Sequence, residues 1–244
     1  MLNETPMTQA LIESLLSNPL PGLRKGPVAL VFDEDGVALA ETVAHCVKLG
    51  FAAVVVFTPT PELVPDQDRV IPVRTERLIP DQVFAIINTV IAALPDIWLH
   101  YCYNAEFLHF PFCETRSVAE MLAFHTEEKR EAMLTYAVDL YVRDLAAAPN
   151  AVDLSECYFD RSGYYAEQRV GADGVWLDRQ WDFKGGLRWR FEEHIPEAKR
   201  RIDRIGLFVS KPGVVLSSDH TLNSAEMNTV SCPWHHNLTA AICS

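Results

Sequence analysis

The chain has 244 residues, 49% of them hydrophobic, and a formal net charge of -12. That length and apolar content suit one large domain, or a domain with a subdomain, built on an ample core. The acidic balance disfavours nucleic acid and anionic membrane surfaces as main partners.

Met1 to Asn18 has neither a basic leader nor a long apolar run, and no stretch is long enough to span a bilayer. The expectation is a cytoplasmic protein without an integral membrane segment. Cys46, Cys102, Cys113, Cys157, Cys232 and Cys243 include no C-x-x-C pair, which reads as buried or free thiols in a reducing compartment.

In chain order, Met7 to Leu16 has the pattern of a short amphipathic helix, and Leu20 to Pro27 that of a linker. Val28 to Phe32 is a short buried strand and Asp33-Glu34-Asp35-Gly36 a turn. Val37, Leu39, Ala40, Val43, Ala44 and Val47 follow at helical spacing, and Gly50 supplies the left-handed residue that ends the helix. Phe51 to Phe57 is apolar throughout, as strands covered on both faces are. Strand, helix and strand with short connections make a right-handed βαβ unit.

Thr58 to Asp68 is a loop, and Arg69 to Val73 a strand placed near an edge by Pro72. Pro80 opens a helix that ends before Pro95, and Ile97 to Cys102 is the next strand. Ser117 and Glu120 form a capping box, from which a helical region runs to Leu145 with a break near Thr126. Met133, Tyr136, Ala137, Leu140 and Tyr141 supply its later apolar face. Beyond Cys157 the chain turns aromatic and glycine-bearing. A strand follows at Arg204 to Val209, and Leu238 to Ser244 reads as the opening of an apolar helix.

Chemistry concentrates in Asp96 to Glu114, where an apolar strand runs into Tyr103-Asn104-Ala105-Glu106-Phe107. Open α/β sheets place ligands at the carboxyl ends of such strands. With Glu41, Gly50-Phe51 and the Asn104-Ala105-Glu106 segment, a weakened D-x-D, the chain resembles the family-2-like GT-A glycosyltransferases. Departures from that pattern fall at Thr42, Cys46, Thr58, Tyr103 and Ala105.

The resemblance implies a GT-A-like (Rossmann-like) α/β fold: an open, mostly parallel sheet flanked by helices, with a helical and aromatic-rich C-terminal portion. Residues 1–26 would be an N-terminal helix and linker. Residues 27–114 would form the nucleotide-sugar-binding half, and 115–244 the helical, acceptor-side half of the same domain. The implied activity is transfer of a sugar from a nucleotide-sugar donor to a saccharide or other hydroxyl acceptor, as in bacterial-type polysaccharide synthesis. The implied cofactor is a divalent metal, Mg or Mn, with Glu106 and His220 as its ligands in this chain. One glutamate and one amide are a poor hard-oxygen set for such an ion.

The donor would be met by Glu34, Asp35, Thr58, Asn104, Arg188 and Arg190. Glu34 and Asp35 serve equally well as an acidic cap at a helix start. Asp182, in an aromatic and glycine-bearing loop, Glu192 and Glu193 are the carboxylates available to take an acceptor proton, although a solvated helix face suits Glu192 and Glu193 better. Trp181, Phe183 and Trp189 can stack on a sugar or serve as subdomain core. His235 and His236, being adjacent, point apart, so at most one of them joins His220. Lys184, Arg188, Arg190, Lys199, Arg200, Arg201 and Arg204 make up a third of the 21 basic residues. They either focus a diphosphate or pair with Glu192, Glu193, Glu197 and Asp203. The alternative function is a catalytically silent relative acting as a binding or assembly module. A hydrolase reading is weakened by the lack of G-x-S-x-G, a phosphate-binding glycine loop and G-x-G-x-x-G.

Overall fold

The computed structural model describes residues 13, 15–232 and 239–244. The helix expected at Met7 to Leu16 falls mostly outside the described residues. So do His235 and His236, together with Trp234.

The core of the protein is an eight-stranded sheet with helices on both faces. Its elements are α1 (Pro21–Lys25), β1 (Val28–Phe32), α2 (Leu39–Lys48), β2 (Ala53–Thr58), β3 (Val70–Arg74), α3 (Pro80–Ala93) and β4 (Trp98–Tyr103). They continue with β5 (Phe107–His109), α4 (Val118–Glu127), β6 (Ala132–Val138), β7 (Tyr165–Val170) and β8 (Trp176–Lys184). The last are α5 (Leu187–Arg190), β9 (Asp203–Val209), α6 (Ala225–Ser231) and β10 (Ala240–Cys243).

The sheet order is β3-β2-β1-β4-β9-β6-β10-β5. Pairing is parallel from β3 through β4 and between β6 and β10. Strands β9 and β5 run against their neighbours. β7 and β8 form a separate antiparallel ribbon. The chain winds from β1 outward through β2 to β3, then returns across to β4 on the other side of β1. The gap between β1 and β4 is therefore the switch point at which open sheets hold ligands.

Every residue of β1 and β2 is buried, which explains their unbroken apolar runs. One face packs Leu30, Phe32, Val55 and Phe57 against α3 residues such as Ile87 and Ile91. The other packs Val31, Val54 and Val56 with Val43 of α2 and Met121 of α4. β3 is the edge strand, and Pro72 sits there without costing an interior hydrogen bond. Gly50 has a φ of +88°, as the end of α2 requires. The capping box at the start of α4 is present: Ser117 Oγ accepts the Glu120 N–H at 3.3 Å and Glu120 accepts the Ser117 N–H at 2.9 Å.

Four expectations need correction. Residues 132–138 are strand β6, not helix, because a strand buried on both faces shows no two-residue alternation to separate it from a helix. The C-terminal run is strand β10, parallel to β6, not a helix. The linker contains the short helix α1, begun at Pro21. The aromatic stretch around Asp182 is strand β8 of the ribbon.

Among the described residues no helix is long and apolar enough to cross a membrane. None of the six cysteines is in a disulfide among the described residues; Cys46, Cys102 and Cys232 are buried and Cys157 is exposed.

Candidate functional site

At the ends of β1, β2 and β4 the polar side chains first bind one another. Asp33 is buried; its Oδ1 accepts the Gly36 N–H at 2.7 Å and its Oδ2 accepts the Thr58 hydroxyl at 2.5 Å. Thr58 is wholly enclosed, so it ties β2 to β1 and does not face a ligand. Asn104 bridges the switch point itself. Its Oδ1 accepts the Glu34 N–H at 2.7 Å, and its Nδ2 donates to Asp35 Oδ1 at 2.6 Å and to the Val37 carbonyl at 2.9 Å. With both amide hydrogens and one oxygen lone pair engaged, Asn104 shapes the β1 turn. Ala105 N–H donates to Thr42 Oγ1 at 2.9 Å, which fixes the bend after β4.

Next to this clasp lies a cleft of about 690 Å³. Glu34, Tyr103 and Glu106 line it from the strand ends, Phe84 from α3, and Arg204 and His220 from β9 and the turn that follows Ser217. Arg188, Asp139, Lys199, Arg201 and Asp203 complete its basic wall.

Arg204 is the centre of that wall. It is buried in β9, between Asp203 and an apolar run, and donates to Glu106 Oε2. Its guanidinium lies 5.2 Å from the Tyr101 ring centroid and 6.0 Å from that of Tyr103. Burial opposes its charge, but the charge and hydrogen bond of Glu106, together with Tyr101 and Cys102, more than offset this and hold the group protonated. Glu106 Oε2 also accepts the Tyr103 N–H at 2.8 Å. Two further guanidinium groups are anchored in the same way. Arg188 grips Asp139 with two bonds at 2.7 and 2.8 Å. Arg201 bonds Asp203 at 2.8 Å and lies 3.1 Å from Asp182. Lys199 has no side-chain partner among the described residues.

Burial, with Glu106 and Asp35 nearby, pushes the Glu34 carboxyl above its ordinary range. Burial, reinforced by Arg204 and Arg201, depresses His220 to about 3, so its imidazole is neutral. Burial raises the Tyr103 phenol to about 12.

Of the residues singled out from sequence, Glu34, Glu106, Arg188 and His220 share the cleft, with Asp35 and Asn104 immediately behind its rim. The others lie elsewhere. Arg190 pairs with Asp160 and sits over the Tyr141 ring at 5.6 Å. Asp182 bonds Arg169 at 2.7 Å and, with the fully buried Asp203, fastens the ribbon to the sheet. Glu193 is exposed, 3.7 Å from His194. Neither Asp182 nor Glu193 lines the cleft.

A divalent ion implied by the resemblance is not matched by these donors. Glu106 is engaged by Arg204 and a backbone N–H, and Asn104 by Glu34, Asp35 and Val37. Among the described residues no group of three or more His, Cys, Asp and Glu side chains is placed to hold a metal. Asp139 lines the cleft without any motif to mark it in the sequence, and Lys199, Arg201 and Arg204 line it as well, while Tyr101 is buried behind it. The available signal was Arg204 itself, because an arginine at the head of an apolar run needs a buried acid. The chain matches no family model and no curated protein.

Proposed function

We propose that the protein binds a nucleotide-sugar in the cleft at the β1–β4 switch point, as a GT-A-type glycosyltransferase-like protein. The observation that carries this reading is the gathering of Arg188, Arg201 and Arg204 with Glu34 and His220 beside the carboxyl ends of β1 and β4. Guanidinium groups match phosphate oxygens in geometry as well as charge. Three of them, each held by a carboxylate, offer a fixed set of donors to a diphosphate. In transfer to an acceptor hydroxyl, they would stabilise the charge that grows on the leaving diphosphate. Among the described residues Glu34 is the lining carboxylate not engaged by a cation or a backbone cap, and burial raises its pKa, which favours proton uptake.

A second reading, a silent binding module, is favoured by one specific finding: Asp182 and Glu193 stand outside the cleft. Calorimetry against nucleoside diphosphates and nucleotide-sugars, with EDTA and with Mn²⁺, tests the shared claim. Binding of at least one of them in EDTA is expected, and binding of none would remove the donor site. Slow hydrolysis of a bound nucleotide-sugar that is lost in Glu34→Gln would separate the transferase from the module.

A further inference from the structure

Tyr101 stands in the middle of β4 with its side chain enclosed, 1% exposed. Its hydroxyl lies 2.8 Å from His220 Nδ1, and among the described residues it has no other hydrogen-bond partner. His220 is held in place from several directions. Its backbone adopts a φ of +62°, a left-handed conformation in which histidine is several-fold enriched. Its N–H donates to the Ser217 carbonyl at 2.9 Å, and its own carbonyl accepts the Ile205 N–H at 3.0 Å. The ring lies parallel to Tyr101, with 5° between planes, and meets Phe84 edge-on at 5.3 Å between centroids. A residue kept so firmly in a sparsely populated conformation points to a use for that conformation.

The hydrogen bond fixes more than orientation. A neutral imidazole carries one proton, on Nδ1 or on Nε2. If Nδ1 carried it, Nδ1 would donate to the tyrosine oxygen. The buried phenolic hydrogen would then have no acceptor, an arrangement that folded proteins avoid. With the proton on Nε2, the phenol donates to Nδ1 and both groups are satisfied. Among the described residues Nε2–H then has no protein partner, and the ring lines the cleft. Burial, with Arg204 and Arg201 nearby, keeps that ring from taking a second proton.

We propose that Tyr101 is a positioning residue that locks His220 as the Nε2–H tautomer, so that the cleft offers a neutral hydrogen-bond donor to a phosphoryl oxygen. This rests on the diphosphate reading above. It also alters the role of His220: a protonated Nε2 has no lone pair for a metal ion, and Nδ1 is engaged by Tyr101. The histidine thus supplements the arginines with a directional contact that adds no charge.

Long-range ¹⁵N–¹H NMR on the labelled full chain tests the tautomer directly, with the His220 signals identified by their loss in His220→Gln. A protonated-type shift at Nε2 and an unprotonated-type shift at Nδ1 are expected. The reverse pattern would overturn the proposal, and Tyr101→Phe should mix the two forms. Calorimetry with inorganic pyrophosphate in EDTA tests the donor. Glutamine can place an amide N–H where Nε2–H stood, whereas asparagine reaches only the place of Nδ1. His220→Gln should therefore bind within about threefold of the parent, while His220→Asn weakens binding about tenfold. Equal affinities for those two variants, or an unchanged tautomer in Tyr101→Phe, would refute the inference. Failure of the parent protein to bind pyrophosphate or any nucleoside diphosphate would instead sink the donor site itself, and the NMR pattern would still decide the tautomer.

Discussion

Replacing Glu106 by glutamine separates two roles that this carboxylate could play, because they predict opposite signs. In the structure Glu106 and Arg204 are a nearly enclosed pair, their side chains 12% and 7% exposed. Glutamine keeps a carbonyl oxygen for the Tyr103 N–H, now bonded at 2.8 Å, but removes the negative charge. Arginine cannot escape by losing its proton. Breaking a buried pair from one side costs about 3–5 kcal/mol. The cleft gives the guanidinium some access to water, so the lower end, about 3 kcal/mol, is expected. With a urea dependence of roughly 3 kcal/mol per molar, that moves the unfolding midpoint down by about 1 M.

Ligand binding should change in the other direction. Freed from Glu106, Arg204 becomes available to an anion, and a hydrogen bond to a charged group contributes about 1.5–3 kcal/mol. Pyrophosphate in EDTA should bind about tenfold more tightly to Glu106→Gln, measured by calorimetry at a temperature where the variant is fully folded. A metal ligand at this position would behave oppositely: its loss would weaken nucleotide binding, and more so with Mn²⁺ than with EDTA. That pattern, or a destabilisation under about 1 kcal/mol, would refute the assignment of Glu106 to Arg204. The cycle with Arg204→Met should return a coupling energy well above the additivity error of about 0.5 kcal/mol.

His125 is buried with both ring nitrogens unpartnered, and burial, then Arg130, depress it to about 4. The unfolded chain therefore binds the proton first, and stability should fall as pH drops from about 6.5 toward 4, by up to about 3 kcal/mol. His125→Leu should be more stable at pH 7 and lose most of that slope; denaturant melts at pH 7 and 5 that coincide with the parent would contradict this. Glu120 is held at about 2 by the Ser117 N–H, Arg116 and the Ser117 hydroxyl. Its capping contribution should persist above the ordinary glutamate pKa and fade as pH falls toward 2, and an NMR carboxyl titration with a midpoint above about 4 would show the cap to be absent. At Gly22 an added Cβ would lie 2.0 Å from the Ala52 carbonyl oxygen. Gly22→Ala should destabilise by more than about 2 kcal/mol, and an unchanged melt would mean that α1 does not pack there.

The first half of the fold was legible because its signals are local and agree with one another. Val28 to Phe57 combines two fully apolar strands, a helix of regular period and Gly50 at the helix end, which together leave little room but a βαβ unit. Arg69 to Val73 disclosed its edge position through Pro72, and Ser117 with Glu120 disclosed the start of α4. What failed depends on distant partners. Met133 to Tyr141 satisfies helical spacing, yet its burial comes from β9 on one side and β10 on the other. Ala240 to Cys243 is too short to carry a period and becomes a strand only by insertion between β6 and β5. The site divides along the same line. Glu34, Asn104 and Glu106 could be placed at strand ends from sequence alone. That Glu106 meets Arg204, 98 residues later, and that Tyr101 meets His220, 119 residues later, needed the sheet order.

The arginine wall also bears on how an acidic chain would hold an anion in the proposed donor site. Each guanidinium lining the cleft has its own acid: Asp139 for Arg188, Asp203 and Asp182 for Arg201, Glu106 for Arg204. The pairs remove most of the net charge, so the cleft folds without three mutually repelling cations. They do not remove the donors, because a guanidinium carries five N–H groups in a rigid fork, more than one carboxylate can use. What remains is a set of oriented N–H groups with their side-chain entropy already lost on folding, to which His220 adds one more. On the proposed donor-site reading, such a surface would recognise phosphate oxygens by geometry more than by field, which would suit a protein whose overall charge repels them.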